Sequence, residues 1–182
     1  ADWGVHVLGT LFDGIVNYAF AALNGGGYKN APIGGGTNHY KQFDYEGRVS
    51  ATYDGFHLGI GGYSGQLGTS YCVAPPHPAA RLPILGAYVG TGIRAGIAYF
   101  GASNYTSALV ASTGPGDSAH GVSGFASYAV TPEWGVFGRF DSVEPNTRSA
   151  PRKSEEYFAA GVSWSPTKIV DFALAYKHDT AG

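Results

Sequence analysis

Apolar and polar residues alternate with a period of two along most of this chain. From Glu156 to Trp164, Phe158, Ala160, Val162 and Trp164 fall on one side, with Tyr157, Ala159, Gly161 and Ser163 on the other. After Ser165-Pro166-Thr167-Lys168 the pattern resumes, with Val170, Phe172, Leu174 and Tyr176 opposing Asp171, Ala173, Ala175 and Lys177. Successive strand residues point to opposite faces, so this pattern predicts two strands, and the Pro-containing polar stretch between them predicts a hairpin turn.

The unit recurs. Hairpins are predicted over 4–23, 43–66, 84–101, 121–143 and 156–178, starting about every 35–41 residues. The second has the cleanest alternation: Phe43, Tyr45, Gly47, Val49, Ala51 and Tyr53 oppose Asp44, Glu46, Arg48, Ser50 and Thr52, before the turn dipeptide Asp54-Gly55. Beyond that turn, Phe56, Leu58 and Ile60 oppose His57, Gly59 and Gly61. Ile93, Ala95, Ile97 and Tyr99 oppose Arg94 and Phe100, and Trp134, Val136, Gly138 and Phe140 oppose Phe137, Arg139 and Asp141. The stretch Ile84 to Val89 reads as a shorter strand whose pattern assigns no facing. Segments 24–42, 67–83, 102–120 and 144–155 lack periodicity and are read as long loops, the second holding Cys72 and four prolines.

Connections within hairpins are short and those between hairpins are long. Outer-membrane barrels sort loop length in this way, with short turns on the periplasmic side and long loops outside, whereas a soluble sandwich has no reason to do so. Tyr18, Tyr45, Tyr53, Tyr99, Trp134, Trp164 and Tyr176 lie on the apolar faces near strand ends, where a membrane barrel carries its aromatic girdles. The predicted fold is all-β, an antiparallel up-and-down transmembrane barrel with ten strands in this chain.

Composition agrees. Glycine contributes 29 residues and aromatics 14%, while charged residues are only 13%, about half the usual ~25%. No apolar run approaches the ~18–20 residues of a transmembrane helix. A formal charge of −2 without a long basic run argues against a nucleic-acid surface. With Cys72 alone, no intrachain disulfide framework is expected, and Cys72 with His77 is poor evidence of a metal site.

If the apolar faces meet lipid, the opposite faces line a lumen, with Asp44, Glu46, Arg48, His57, Arg94, Arg139, Asp141, Asp171 and Lys177 as the pore-lining candidates. Each could equally be a solvated wall residue without a specific role. Arg48, Arg94 and Arg139 are favoured for anion or sugar contact, because guanidinium forks hydrogen-bond such groups well. A ten-strand barrel holds little more than side chains and 16–18 strands leave an aqueous channel, so these charges imply paired ions in a plug or a larger water-filled pore. The Gly-rich runs 24–27 and 34–36 open no helix and make a weak phosphate cradle. Arg148, Arg152 and Lys153 form a small basic loop patch, read as solvated or as a solute or lipopolysaccharide contact. His57, His120, Ser123 and Asp141 include the residue types of a hydrolytic site, yet nothing spaces nucleophile, base and orienter on evidently adjacent strands.

The stretches Val16-Asn17-Tyr18, 24–30, Phe43-Asp44-Tyr45-Glu46-Gly47-Arg48-Val49, 61–65, Val136-Phe137-Gly138-Arg139-Phe140-Asp141 and 163–179 together resemble the C-terminal part of gram-negative outer-membrane porins, of the proteobacterial general or phosphate/carbohydrate type. That resemblance implies passive, sieving diffusion of small hydrophilic solutes or ions, often from trimers, with a loop folded into the pore. It implies outer-membrane lipid and lipopolysaccharide as surroundings, and no enzyme activity, cofactor or metal. Such porins are about twice this long, with some 16–18 strands, and end on an aromatic residue. The chain is therefore expected to be a fragment that stops at Asp179-Thr180-Ala181-Gly182, within the next external loop. The rivals are a plugged barrel serving as anchor or sheath for a partner protein, a soluble ligand-binding barrel, and an enzyme. Absent conductance, solubility without detergent, and a clustered His/Ser/Asp set would favour them in turn.

Overall fold

The computed structural model describes residues 4–23, 43–67, 77–106, 116–148 and 154–181. They form one ten-stranded antiparallel sheet in sequence order: β1 (Gly4–Leu11), β2 (Val16–Leu23), β3 (Asp44–Tyr53), β4 (Phe56–Gly65), β5 (Ala79–Gly90), β6 (Ile93–Ser103), β7 (Ser118–Ala129), β8 (Trp134–Glu144), β9 (Glu155–Thr167) and β10 (Val170–Ala181). β1 and β10 are its edges. The tight turns all fall at one end of the sheet, the turn end, and the longer connections all fall at the other.

Local chemistry explains the turns. Asp54 and Gly55 both take positive φ, 47° and 79°, as a two-residue turn matched to strand twist requires. At 130–133, the Thr131 hydroxyl accepts the Trp134 amide at 3.0 Å, holding the bend that Pro132 initiates.

The register carries one apolar row from β2 to β7 and another from β8 to β10. Tyr18 lies opposite Val49, Val49 opposite Ile60, Ile60 opposite Ile84, Ile84 opposite Tyr99 and Tyr99 opposite Val122. Further along, Val136 lies opposite Val162 and Val162 opposite Leu174. Directly opposed residues share a face, so the alternation read from sequence describes a single continuous apolar surface. That surface is uncovered: Leu174 is 77% exposed, Ile97 65% and Leu58 62%. Among the described residues the buried hydrophobics are Ala79, Ala119 and Ala159. Three alanines are no core, so the sheet is a single layer and not half of a sandwich.

Several predicted boundaries move. β5 begins at Ala79 and not at Ile84, because residues assigned to a loop pair with β4, Ala79 with Gly65 and Arg81 with Tyr63. Pro83 sits inside that strand; lacking an amide hydrogen, it lies where the β4 pairing skips Gly61 and Gly62. The register also assigns the facing the pattern left open: Ile84, Gly86 and Tyr88 are apolar-face residues. Ala102, Ser103 and Ser118 to His120 belong to strands β6 and β7, and Glu144 and Glu155 to β8 and β9. Ser165, Pro166 and Thr167 are strand, the last turn being Lys168-Ile169. Asp179, Thr180 and Ala181, expected in a loop, pair with Tyr157, Glu156 and Glu155. The expected loop 24–42, Cys72, Arg152 and Lys153 lie outside the described residues.

Candidate functional site

The opposite face of the sheet carries its charge. Alternation and register bring Asp44, Glu46, Arg48, His57, Arg94, Arg139, Asp141, Asp171 and Lys177, the whole predicted set, to this one face. They do not converge on a point; they sit on five strands, β3, β4, β6, β8 and β10, along both ends and the middle of the wall.

Glycines thin the wall between them. Gly59 and Gly61 floor a hollow of about 400 Å³ bordered by Arg48, Ser50, His57, Pro83 and Leu85. Elsewhere phenyl rings lie over glycines of the neighbouring strand. A Cβ on Gly96 would stand 2.7 Å from the Phe125 ring, one on Gly121 2.6 Å from Phe100, and one on Gly161 2.6 Å from Phe137. The rings thus lie against backbone where a side chain would otherwise push them outward.

Individual charges differ in what holds them. Arg139 Nε donates to Asp141 Oδ2 at 2.7 Å and Oδ1 at 3.1 Å, an ion pair running along β8. Thr52 and His57 touch at 3.1 Å at the turn end, and Ser165 Oγ donates to Asp171 Oδ1 at 2.6 Å. Asp44 departs from its predicted role. It is only 5% exposed and accepts the Tyr63 hydroxyl at 2.6 Å and the Gln66 amide at 2.8 Å. It pins the start of β3 to the end of β4 and presents little to solvent.

Arg81, Tyr63, Tyr157, Glu155 and Asp179 also lie on this face and were not singled out in the sequence. Arg81 stands over the Tyr63 ring, its guanidinium carbon 5.3 Å from the centroid. Its signal was present, since Ala80, Leu82 and Ile84 alternate with Arg81 and Pro83, but the surrounding prolines masked it.

At the long-connection end a hydrogen-bonded lock joins three strands. Asp117, buried, accepts the Ser118 amide at 2.8 Å and the Arg148 amide at 3.2 Å. Arg148 Nη1 reaches the Gly116 carbonyl at 3.4 Å, so this arginine of the basic patch is turned inward onto its own chain. The Tyr105 hydroxyl lies 2.6 Å from the Pro145 carbonyl and 2.7 Å from Asn146 Oδ1. Burial raises the Tyr105 phenol above its ordinary value of 10.0, and the Asp117 charge adds to it.

Of the residues considered for hydrolysis, Ser123 lies directly opposite Asp141 on the charged face. His120 falls on the other face, 3.4 Å from Glu144, and His57 is on β4, three strands from β7. Nucleophile, base and orienter are not assembled. Among the described residues no three of His, Cys, Asp or Glu gather as a metal cluster would.

On the apolar face at the turn end, Phe56 and Tyr88 rings lie 4.8 Å apart, and Trp134, Trp164 and Phe172 stack in sequence at 5.7 Å spacings. Tyr99, Phe140, Phe158 and Tyr176 lie on the same face toward the other end. The two aromatic bands flank a strip of aliphatic residues.

The fold is shared with solved outer-membrane proteins. In-vitro folded OmpT of Vibrio cholerae, an outer membrane protein in its trimer form, superposes with a TM-score of 0.65 at 16% identity, over 98% of this chain and 54% of that chain. Outer-membrane expressed OmpT of the same organism gives 0.60 at the same identity and coverage. The chain thus spans about half the length of these structures. No protein-family model and no curated protein matches the sequence. What the likeness shows is architecture: an antiparallel up-and-down sheet with one apolar and one charged face is the fold of the outer-membrane β-barrels.

Proposed function

We propose that this chain forms part of the wall of an outer-membrane porin, a passive channel for small hydrophilic solutes and ions. The observation that carries this reading is a single-layer sheet with an exposed apolar surface on one side and charges distributed over the whole of the other. In a membrane barrel the first meets lipid and the second meets water. The wall filters by size and charge; no residue is assigned a chemical step and no cofactor is required. Arg48, Arg94 and Arg139 contact passing anions, with Glu46, Asp141, Asp171 and Lys177 completing the lining. The lipid-side surroundings are outer-membrane lipid and lipopolysaccharide. The trimer form of the structurally similar OmpT supports trimeric assembly as part of this proposal.

The test is single-channel conductance of the full-length protein in a planar bilayer, with reversal potential under a salt gradient. Stable open steps are expected, and Arg48→Ala with Arg139→Ala is expected to shift selectivity toward cations with folding intact. A correctly folded but silent barrel would overturn the channel reading in favour of a plugged anchor. Unchanged reversal potentials would remove those arginines from the lining.

A further inference from the structure

The charges on the polar face are ordered along the strands. On β3 Glu46 precedes Arg48, on β8 Asp141 follows Arg139, and on β10 Asp179 follows Lys177. Because β3 runs away from the long-connection end while β8 and β10 run toward it, the carboxylate lies nearer that end in all three. Buried Asp44 and exposed Glu155 add negative charge at the same end, and Arg94 adds positive charge beside the turn at 91–92. The two members of each pair are two residues apart, about 7 Å between their backbone positions along a strand, and in the Arg139–Asp141 pair the side chains lean together to 2.7 Å. The backbone spacing is just under the Debye length of about 8 Å at physiological ionic strength, so salt weakens the field between the two layers without removing it. Among the described strand residues of this face, Arg81 and Asp171 run against the order, and both are engaged, Arg81 over the Tyr63 ring and Asp171 by the Ser165 hydroxyl. Off the strands, Arg148 at the long-connection end is turned onto the Gly116 carbonyl, and Asp13, Asp54 and Glu133 sit in the turns.

We propose that this wall is axially bipolar, with a carboxylate layer toward the long-connection end and a cationic layer one residue pair deeper, and that the channel therefore rectifies. The inference rests on the channel reading and adds a direction to it. A voltage that drives cations in through the carboxylate layer and anions in through the cationic layer enriches both ions in the pore; the opposite voltage depletes both. A potential of several kT over such a surface is ordinary, and even one kT alters local ion concentration about threefold.

The experiment is the single-channel current–voltage relation of the full-length protein at equal salt on both sides. Single channels are needed because opposite insertions only invert the sign. Currents at opposite voltages of equal size are expected to differ roughly twofold or more at ~0.1 M salt and to converge at ~1 M, where the Debye length is about 3 Å. The decisive variant exchanges charges within strands, Arg139→Asp with Asp141→Arg and Lys177→Asp with Asp179→Lys, keeping net charge constant. Its rectification is expected to shrink or invert relative to the unaltered channel. Should that variant fail to insert, Glu46→Gln with Asp179→Asn, which leaves the Arg139–Asp141 pair in place, is expected to weaken the asymmetry. An open channel with symmetric currents, or with an asymmetry that the charge variants do not alter, overturns the inference and leaves the channel reading standing. A silent bilayer overturns both.

Discussion

At the scale of single residues, the charged face divides into side chains held against the wall and side chains presented to solvent. Asp44 belongs to the first group: its carboxylate accepts from the Tyr63 hydroxyl and the Gln66 amide in a nearly closed site. A hydrogen bond to a charged acceptor contributes about 1.5–3 kcal/mol, so Tyr63→Phe is expected to lower stability by that amount, measured by urea unfolding from lipid vesicles. A cost near zero would show that Asp44 does not depend on Tyr63. Tyr105 adds a pH dependence at the same end of the sheet. Its folded-state pKa is raised above 10.0 by burial and by Asp117, so the folded state favours the protonated phenol. The stability this gives is complete below pH 10 and is lost as pH rises through the raised value. The alkaline loss of stability is expected to be smaller in Tyr105→Phe; an identical alkaline limb in both proteins would refute the assignment.

At the scale of elements, register decides what each substitution does. Val170, which alternation places on the apolar face, pairs with Thr167 beside the Lys168-Ile169 turn, and the register shifts between Val170 and Phe172. Val162 lies between Val136 and Leu174, inside the strip bounded by Trp164 and Phe158. Arginine at the bilayer midplane of a barrel costs about 2–4 kcal/mol and near the interfaces about 0–1. Val162→Arg is expected to fall in the first range and Val170→Arg in the second, and equal costs would contradict the register. The same contrast shows what was legible in the sequence. Where β-branched and aromatic residues alternate strictly with charges, as from Tyr45 to Tyr53, strand, facing and pore-side residues could all be read. Around Pro75, Pro76, Pro78 and Pro83 they could not, because proline signals loops while a strand can still accept one at a skipped ladder position. Arg81 was missed for that reason. The bulge near Asp171 and the burial of Asp44 depend on a neighbouring strand, which periodicity within one strand does not encode.

At the scale of the whole molecule, a sheet whose buried hydrophobic residues, among the described residues, are three alanines has no core of its own to stabilise it in water. Its apolar surface needs lipid, and its charged surface needs water. This two-sidedness is the central claim, and β8 tests it residue by residue. In a Cys72→Ser background, single cysteines at Val136, Phe137, Gly138, Arg139, Phe140 and Asp141 would be exposed to a charged, membrane-impermeant thiol reagent in reconstituted vesicles. The account predicts labelling at 137, 139 and 141 and protection at 136, 138 and 140. Uniform labelling along the strand, or the inverse alternation, would contradict it.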